Sequence, residues 1–222
     1  MDATVIKIGG SLGLHPEKLK VLCSKLSAAS KKHFLLVVPG GGEFADAVRT
    51  VDKRFGLSNS VSHQMAILGM DQYGYLLSDL ISGSLLVNQI DQVQNIFDIH
   101  KCLILLPSNI MSKNDSLEKS WNVTSDSIAV HIANQAHIKK VILVTDVDGI
   151  FINDPKKHLD AQLICEISAK QLVAMKRRTS VDKFLPKLLS KMHIECFVVN
   201  GLFPERVEDI LDGQNAICTL IN

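Results

Sequence analysis

The chain has 222 residues, 46% of them hydrophobic, a mean hydropathy of +0.18 and a net charge of +1, which is enough apolar sequence for a sizeable core. The nearly balanced charge argues against nucleic acid or an anionic membrane as a partner, and no apolar run approaches the roughly 20 residues that span a bilayer. The N-terminus shows no signal-peptide pattern and the five cysteines form no CxxC motif, so we expect a cytoplasmic protein with reduced, buried cysteines and no metal bound to them.

Strands and helices alternate along the chain. β-Branched or continuously apolar runs predict strands, and apolar residues at helical spacing predict helices. The expected strands are Thr4–Ile8, Phe34–Val38, Cys102–Leu106, Val141–Val144, Ile194–Val199 and Ala216–Leu220. The expected helices begin at His15-Pro16-Glu17 and continue with Glu43–Arg54, Ser60–Ile81, Ser125–Ala136, Val181–Met192 and Pro204–Leu211. Pro186 is expected to kink or restart the helix Val181–Met192. This alternation predicts an α/β fold with a mostly parallel sheet covered on both faces.

The motif Lys7-Ile8-Gly9-Gly10-Ser11 places a cation and two glycines at the end of the first strand. Backbone N–H groups of glycines can approach a phosphate closely, and the carboxyl ends of parallel strands are where ligands bind. A tight turn beside an incidental lysine is the alternative. We favour a phosphate site, because a charged lysine in an apolar strand is costly unless it is paired.

A second glycine loop, Pro39-Gly40-Gly41-Gly42, ends the next strand. Three consecutive glycines cost conformational entropy, which favours a loop that wraps a ligand over a simple connector. Together the two loops suggest a site for two phosphorylated ligands.

Weaker signals follow in the second half. Thr124 or Ser125 can cap a helix that has Asp126 in its first turn, so part of this signal is structural. The run Thr145-Asp146-Val147-Asp148-Gly149 suits a ribose or a magnesium-bound phosphate, although an isolated D-x-D-G is more often an ordinary turn. Of Lys183 and Lys187, one is expected to point inward from a mostly apolar helix, while Lys176-Arg177-Arg178 is expected to be solvated. His63 is the one candidate among eight histidines without metal spacing.

In this order the motifs Lys7–Ser11, Pro39–Gly42, Asp126, Thr145–Gly149 and Lys187 resemble those of the amino acid kinase family, over essentially the whole chain. The resemblance implies a three-layer αβα sandwich around a mainly parallel sheet of about eight strands. It implies one domain over residues 1–222, in which about 1–120 hold the phosphoryl acceptor and about 121–222 hold the nucleotide.

The stretches Pro39–Asp46, His63–Gly74 and Trp121–Ser127 look closest to a branch of this family in methanofuran biosynthesis, which phosphorylates (5-(aminomethyl)furan-3-yl)methyl phosphate to the diphosphate. Glu43-Phe44-Ala45 stands where isopentenyl phosphate kinases carry a histidine, which argues against an isoprenoid phosphate. Asp71 with Gly74-Tyr75-Leu76 is similar to uridylate kinases and keeps a nucleotide acceptor open.

The resemblance also implies in-line transfer of a phosphoryl group from ATP, with Mg²⁺, to a small phosphorylated acceptor. The implied catalytic residues are Lys7, Asp126 and Lys187, with Asp126 pairing both lysines and with Lys183 as the alternative to Lys187. The implied nucleotide-binding residues are Gly9, Gly10, Ser11, Thr145, Asp146, Asp148 and Gly149, and no side chain is assigned to the metal. The implied acceptor-binding residues are Gly40, Gly41, Gly42, Asp71 and Ser125. Backbone N–H groups of Gly9, Gly10, Gly41 and Gly42 would bind phosphates.

Several points stay open at this stage. We hypothesise that Asp71, together with Asp46, recognises the ammonium group of an aminomethylfuran. A uridylate or other small-phosphate kinase is the rival enzyme. A non-catalytic relative that binds a nucleotide or an oxyanion is the rival of another class, and the presence of Lys7, Asp126 and Lys187 together argues against it. The resemblance further implies a homo-oligomer.

Overall fold

The computed structural model describes residues 3–96, 101–114, 116–153, 155, 157–158, 160–175 and 179–222, so the basic run Lys176–Arg178 lies outside the described residues. The strands in this part of the chain are β1 (Ala3–Ile8), β2 (Phe34–Pro39), β3 (Leu85–Val87), β4 (Cys102–Leu105), β5 (Lys140–Thr145), β6 (Ile150–Phe151), β7 (Leu163–Ile164), β8 (Glu166–Ile167), β9 (Glu195–Asn200) and β10 (Cys218–Ile221). The helices are α1 (Pro16–Ala29), α2 (Gly42–Phe55), α3 (Asn59–Leu80), α4 (Ile90–Ile96), α5 (Ser108–Asn114), α6 (Ser125–Gln135), α7 (Ala169–Ala174), α8 (Leu185–Leu189) and α9 (Glu205–Leu211), with a 3₁₀ turn at Gly10–Leu14.

One eight-stranded sheet runs in the order β3-β4-β2-β1-β5-β9-β10-β8, and β6 and β7 form a separate antiparallel pair. Within the large sheet, β10 runs antiparallel to β9, and all the other neighbouring pairs are parallel. Because β1 lies between β2 and β5, the carboxyl ends of these three strands share one edge. This edge carries the loops that follow β1, β2 and β5.

The core consists of two hydrophobic clusters, one on each face of the sheet. Alternate residues of a strand point to opposite faces. Accordingly Val5 and Leu36 belong to the cluster that includes residues of α6 and α8, whereas Ile6 and Leu35 belong to the cluster that includes residues of α1 and α9. These four side chains are completely buried, and burial of each contributes about 1.5–3 kcal/mol. The resulting helix–sheet–helix layering and the mainly parallel eight-stranded sheet confirm the predicted fold class.

The predicted helix Val181–Met192 is wrong in its extent, because only Leu185–Leu189 is helical. Pro186 lies in the first turn of α8, where its missing N–H removes no helical hydrogen bond. The Asp182 carboxylate accepts hydrogen bonds from the N–H groups of Phe184 (3.0 Å) and Leu185 (2.8 Å). This carboxylate therefore acts as a cap, and the helix begins after it.

The other predicted strands and helices are confirmed to within one or two residues at most ends. The elements that the sequence pattern did not predict are short, between two and seven residues: β3, α4, α5, β6, β7, β8 and α7. Segments of this length contain too few residues to show a helical or strand period.

Two composition-based expectations can be compared with the structure. No α-helix in the described ranges combines the length and the apolarity needed to cross a lipid bilayer. Cys23, Cys102 and Cys196 are buried as predicted, and burial raises the pKa of the Cys23 and Cys102 thiols to about 12. Cys165 is exposed and Cys218 is half-buried, so the expectation that all five are buried is wrong. Both lie near the β8 edge of the sheet, where less structure covers them.

Candidate functional site

Lys7 on β1 and Asp126 on α6 form a buried ion pair at the carboxyl edge of the sheet. Lys7 Nζ lies 2.7 Å from Asp126 Oδ1, and the two side chains are 9% and 10% exposed. The side chain of Thr124 caps α6 and accepts a hydrogen bond from the Asp126 N–H, which places the carboxylate in the first helical turn. A buried ammonium group needs such a partner. The structure therefore brings together two of the three predicted catalytic residues.

The two glycine loops touch each other at Gly10 and Gly42. A Cβ atom on Gly10 would lie only 2.1 Å from the Gly42 nitrogen, and Gly42 has a φ of +53° that favours glycine. A side chain at Gly10 would therefore collide with the Gly42 backbone, and a side chain at Gly42 would strain its own backbone conformation. Among the described residues, no acceptor pairs with the N–H groups of Gly10, Gly41 and Gly42. These groups can donate to an anion at the point where the loops meet.

Gly9 and Gly40 have a different role from their neighbours. The Gly9 N–H donates to the Val144 carbonyl and the Gly40 N–H donates to the Ile8 carbonyl, both at 2.8 Å. These hydrogen bonds attach the loops to the adjacent strands. The expectation that the Gly9 N–H binds a phosphate is therefore wrong for this conformation, because that donor is already used within the fold.

A cavity of about 340 Å³ opens beside the glycine loops. Its walls come from both loops, from α2 and α3, and from the segment that leads into α6. Ser125, predicted to bind the acceptor, lies in this wall, and so does His63, which is buried. The lining residues used below are Gly10, Ser11, Gly41, Gly42, Glu43, Asp46, Arg49, His63, Trp121 and Ser125.

Charged side chains of α2 line one part of this cavity. Glu43 and Asp46 are exposed, and Asp46 Oδ1 lies 3.7 Å from Arg49 Nε. The Arg49 guanidinium lies 4.0 Å from the centre of the Trp121 ring, a cation–π contact. Trp121 Nε1 donates to Asp52 Oδ2 at 2.7 Å, which fixes the ring. Of these residues, only Asp46 had been given a binding role from the sequence, although the acidic start of the helix after the triple glycine was a visible signal.

Asp71 lies outside the cavity lining. Its Oδ1 accepts the Ser108 N–H at 3.1 Å and its Oδ2 accepts the Ser108 hydroxyl, so both oxygens bind the start of α5. Burial raises the pKa of Asp71, and the two hydrogen bonds from Ser108 oppose this shift. The sequence predicts that Asp71 binds the acceptor, whereas in the structure its carboxylate caps α5.

Three predicted nucleotide-binding residues meet at the end of β5. Ser11 Oγ donates to Asp146 Oδ1 at 3.0 Å, and Thr145 Oγ1 donates to the same oxygen at 3.2 Å. Ser11 also lines the cavity, so it connects the cavity with the loop that follows β5. The sequence could not predict this contact, because Ser11 and Asp146 are 135 residues apart.

Asp148 and Gly149 are held by structural contacts. Asp148 Oδ1 accepts hydrogen bonds from Arg206 Nη1 (2.6 Å) and from the buried Asn200 Nδ2 (2.9 Å). The Gly149 carbonyl accepts the Ser180 hydroxyl at 2.9 Å. Sequence reasoning had not identified Asn200 or Arg206, although a polar residue at the end of an apolar strand was a usable signal.

Both candidate second lysines, Lys183 and Lys187, are exposed. Within the described residues Asp126 pairs with Lys7 and with no second lysine, and its Oδ2 accepts the Asp182 N–H at 3.1 Å. Lys187 lies on α8, and its positive charge helps to lower the pKa of Glu118, after hydrogen bonds from Ser120 and Asn122. Glu118 lies just before Ser120 and Trp121, which belong to the cavity wall.

Asp182 is the main residue that sequence reasoning had not assigned to the site. Its carboxylate also binds the start of α6, accepting the N–H and hydroxyl of both Thr124 and Ser127. Burial and the negative charge of Asp126 raise its pKa, while the hydrogen bonds oppose this shift. An aspartate three positions before a helix with proline in its first turn was a recognisable capping signal.

Comparisons with known proteins agree with this geometry. The model of the amino acid kinase family matches residues 2–200. The chain is 38% identical over 224 residues to [5-(aminomethyl)furan-3-yl]methyl phosphate kinase of Methanocaldococcus jannaschii, which covers 98% of this chain and 96% of that protein. It is 27% identical over 228 residues to the molybdenum storage protein subunit beta of Azotobacter vinelandii, covering 96% and 84%. The uridylate kinase structure from Archaeoglobus fulgidus superposes with a TM-score of 0.79 at 21% identity over 99% of this chain and all of that one, which shows a shared fold.

Replacing Asp71 by alanine tests its capping role. Without the carboxylate, the N–H and hydroxyl of Ser108 lose their acceptor, so we expect the free energy of unfolding to fall by about 1–2 kcal/mol. Urea denaturation of the wild type and Asp71→Ala measures this difference. An unchanged midpoint would contradict the role of Asp71 in holding α5.

Proposed function

Because the chain belongs to the amino acid kinase family, we propose that it transfers the γ-phosphoryl group of ATP to the phosphate of a small monoester and forms a diphosphate. We propose (5-(aminomethyl)furan-3-yl)methyl phosphate as the acceptor, the compound in the name of the 38% identical relative. The observation that carries the proposal is the buried Lys7–Asp126 pair beside a cavity that both glycine loops line.

The acceptor would occupy the cavity, within the part of the chain up to about residue 120 together with the start of α6. ATP would bind along the carboxyl edge after β5 and β9, where Ser11, Thr145 and Asp146 gather. In this arrangement the N–H groups of Gly10, Gly41 and Gly42 point toward the place where the two phosphate chains approach each other. Ser11 lies between the two sites.

The proposed reaction is a direct in-line displacement. An oxygen of the acceptor phosphate bonds to the γ-phosphorus, the bond from that phosphorus to the bridging oxygen of the β-phosphate breaks, and ADP leaves with the electron pair. No general base is needed, because a phosphate monoester is already ionised at neutral pH. The main obstacle is repulsion between two anions, so catalysis depends on positioning and on positive charge around the transferred group.

Lys7 and Lys187 would supply this positive charge. The Lys7 ammonium lies 3.5 Å from where a Cβ on Gly9 would be, and Asp126 holds it there. Lys187 is exposed on α8 and would approach from the nucleotide side, with a bound phosphate as its counter-charge. Asp148 and Gly149 would act indirectly by shaping the loop after β5.

Magnesium, when bound, supplies further neutralisation of the phosphate oxygens. The oxygen donors of Ser11, Thr145 and Asp146 are the hard ligands that this ion prefers. No cluster of three or more His, Cys, Asp or Glu able to hold a metal occurs in the described ranges, so nucleotide oxygens and water would supply most of the ligands.

We propose that Asp46, with Glu43 beside it, recognises the ammonium group of the acceptor. Both carboxylates lie in the cavity lining, whereas Asp71 does not. The contact between Asp46 and Arg49 is long at 3.7 Å and exposed, so it leaves capacity for a cationic ligand. This proposal keeps the sequence-based idea of an acidic recognition site and moves it from α3 to α2.

A homo-oligomer, which the family resemblance implies, stays a prediction. Its support in the structure is an apolar row on the exposed side of α3. Val61, Leu68 and Tyr75 follow one another at intervals of seven residues and are 48%, 48% and 58% exposed.

ADP formation measured with a panel of phosphate acceptors tests the proposed reaction. We expect kcat/KM for (5-(aminomethyl)furan-3-yl)methyl phosphate to exceed that for UMP and for isopentenyl phosphate by at least about a hundredfold, because a site built to bind a polar group rejects acceptors that lack it. Preference for UMP would favour a uridylate kinase instead. ATP binding without ADP formation on any acceptor would favour a non-catalytic binding protein.

Lys7→Ala should lower kcat by roughly a hundredfold or more and change KM much less, because the ammonium charge is most useful in the transition state. Steady-state kinetics of this variant and of Lys20→Ala measure the effect. Lys20 is an exposed lysine paired with Glu17 on α1, and its variant should behave as the wild type. Thermal unfolding checks that Lys7→Ala is folded at the assay temperature. An unchanged kcat would exclude the role of Lys7.

Asp46→Asn should discriminate between an aminomethyl acceptor and its des-amino analogue. We expect kcat/KM for the aminomethyl compound to fall roughly tenfold and that for the analogue to stay nearly constant, since only the first has an ammonium group. Asp71→Asn serves as the comparison and should affect both compounds equally. A selective loss with Asp71→Asn instead would restore Asp71 as the recognition residue.

A further inference from the structure

The Asp182 carboxylate joins the beginnings of two helices. One oxygen, Oδ2, accepts the Thr124 N–H (2.9 Å), the Thr124 hydroxyl (3.0 Å) and the Ser127 N–H (3.0 Å). The other oxygen, Oδ1, accepts the Ser127 hydroxyl (2.7 Å) and the N–H groups of Phe184 (3.0 Å) and Leu185 (2.8 Å). A single side chain therefore fixes the start of α6 relative to the start of α8.

Asp182 also contacts the ion pair directly. Its backbone N–H donates to Asp126 Oδ2 at 3.1 Å, while Asp126 Oδ1 holds Lys7 Nζ at 2.7 Å. We propose that Asp182 is a positioning residue for phosphoryl transfer: it fixes the Asp126 carboxylate, which aims the Lys7 ammonium at the transferred group. This inference rests on the proposed function for the meaning of the pair, although the positioning itself can be observed without catalysis.

The charge of Asp182 argues against a role in helix capping alone. Burial and the nearby negative charge of Asp126 raise its pKa, which means that its ionised form is held at a cost. Serine, threonine or asparagine would cap a helix about as well without placing a second carboxylate beside the first. Both carboxylate oxygens act only as acceptors and together offer about four lone-pair sites, which the six donors share. We infer that position 182 carries a carboxylate because one side chain attaches two helices at the same time.

The position of the attachment explains how it would act on the reaction. Lys7 has a long flexible side chain, and its ammonium group is located by Asp126 alone among the ion pairs of the described residues. Displacement of a catalytic group by about 1 Å can cost about a hundredfold in rate. The helix α8, which Asp182 caps, carries Lys187. Asp182 would therefore set both ammonium groups relative to each other, although it touches neither substrate.

Asp182→Asn keeps the size of the side chain but replaces one acceptor oxygen by a donor. We expect kcat to fall about tenfold, with KM for ATP and for the aminomethylfuran phosphate changed less than about twofold. In the double variant with Asp126→Asn, we expect no further loss beyond that of Asp126→Asn alone, because Asp182 acts through Asp126.

Ser168→Ala is the matched control for loss of a helix cap. Ser168 caps α7 through the Gln171 N–H and lies outside the cavity lining and the ion pair. We expect Ser168→Ala to lower the urea midpoint without lowering kcat, and to leave the kcat of Asp126→Asn unchanged when the two are combined. If Asp182→Asn is too unstable for assay, the same measurements are made with Asp182→Ser, which retains a cap for α8.

An unchanged kcat for Asp182→Asn would overturn the proposal, and so would losses that multiply in the double variant. A crystal structure of Asp182→Asn gives the readout that does not need catalysis. We expect the distance from Lys7 Nζ to Asp126 Oδ1 to lengthen beyond 2.7 Å, with the Asp126 carboxylate rotated. If the wild type forms no ADP with any acceptor, the proposed function fails, and this distance still decides the positioning role. An unaltered pair in the variant would overturn that role.

Discussion

The arrangement of the candidate site depends on the buried ion pair between Lys7 and Asp126. Two charges taken out of water lose their hydration free energy. Their mutual attraction offsets this loss only if other groups complete their hydrogen bonds. Here Oδ2 of Asp126 has such a group, the Asp182 N–H. Removing one partner would leave a buried charge uncompensated, at a cost of about 3–5 kcal/mol. A pair of apolar residues would fill this space at lower cost to folding, so the pair is best explained by a ligand that uses its charge.

The sheet topology determines where this pair lies. Placing β1 between β2 and β5 brings three loops to one edge, and the N–H groups of Gly9 and Gly40 attach two of these loops to neighbouring strands. The contact between Gly10 and Gly42 then allows the loops to approach more closely than any side chain would permit. As a result, the N–H groups of Gly10, Gly41 and Gly42, which have no acceptor among the described residues, lie together where the loops meet. The kinase class that the sequence predicted is confirmed by the family to which the chain belongs, and this geometry provides a physical reason for it.

Sequence reasoning located candidate residues whose pattern is visible in their own strand or loop. Lys7, the glycines and Asp126 were recognisable because each breaks an apolar or helical pattern at the end of an element. It could not find contacts between residues far apart in the chain, such as Ser11 with Asp146 or Asp182 with Thr124. The case of Asp71 shows the limit clearly. An acidic residue on an apolar helix has the same pattern whether it faces a ligand or caps the next helix, and only the tertiary position of Ser108 distinguishes these roles.

The distribution of charge along the cavity bears on the choice between acceptors. The glycine N–H groups in its lining attract a phosphate. Glu43 and Asp46 on α2 line the same cavity, with Arg49 engaged by the Trp121 ring. A ligand that carries both a phosphate and an ammonium group would place opposite charges against both sets of groups. A nucleoside monophosphate has no cation to offer Glu43 and Asp46, so these carboxylates would gain no partner from it. Charge complementarity therefore favours the aminomethyl phosphate over a uridine nucleotide in the proposed reaction.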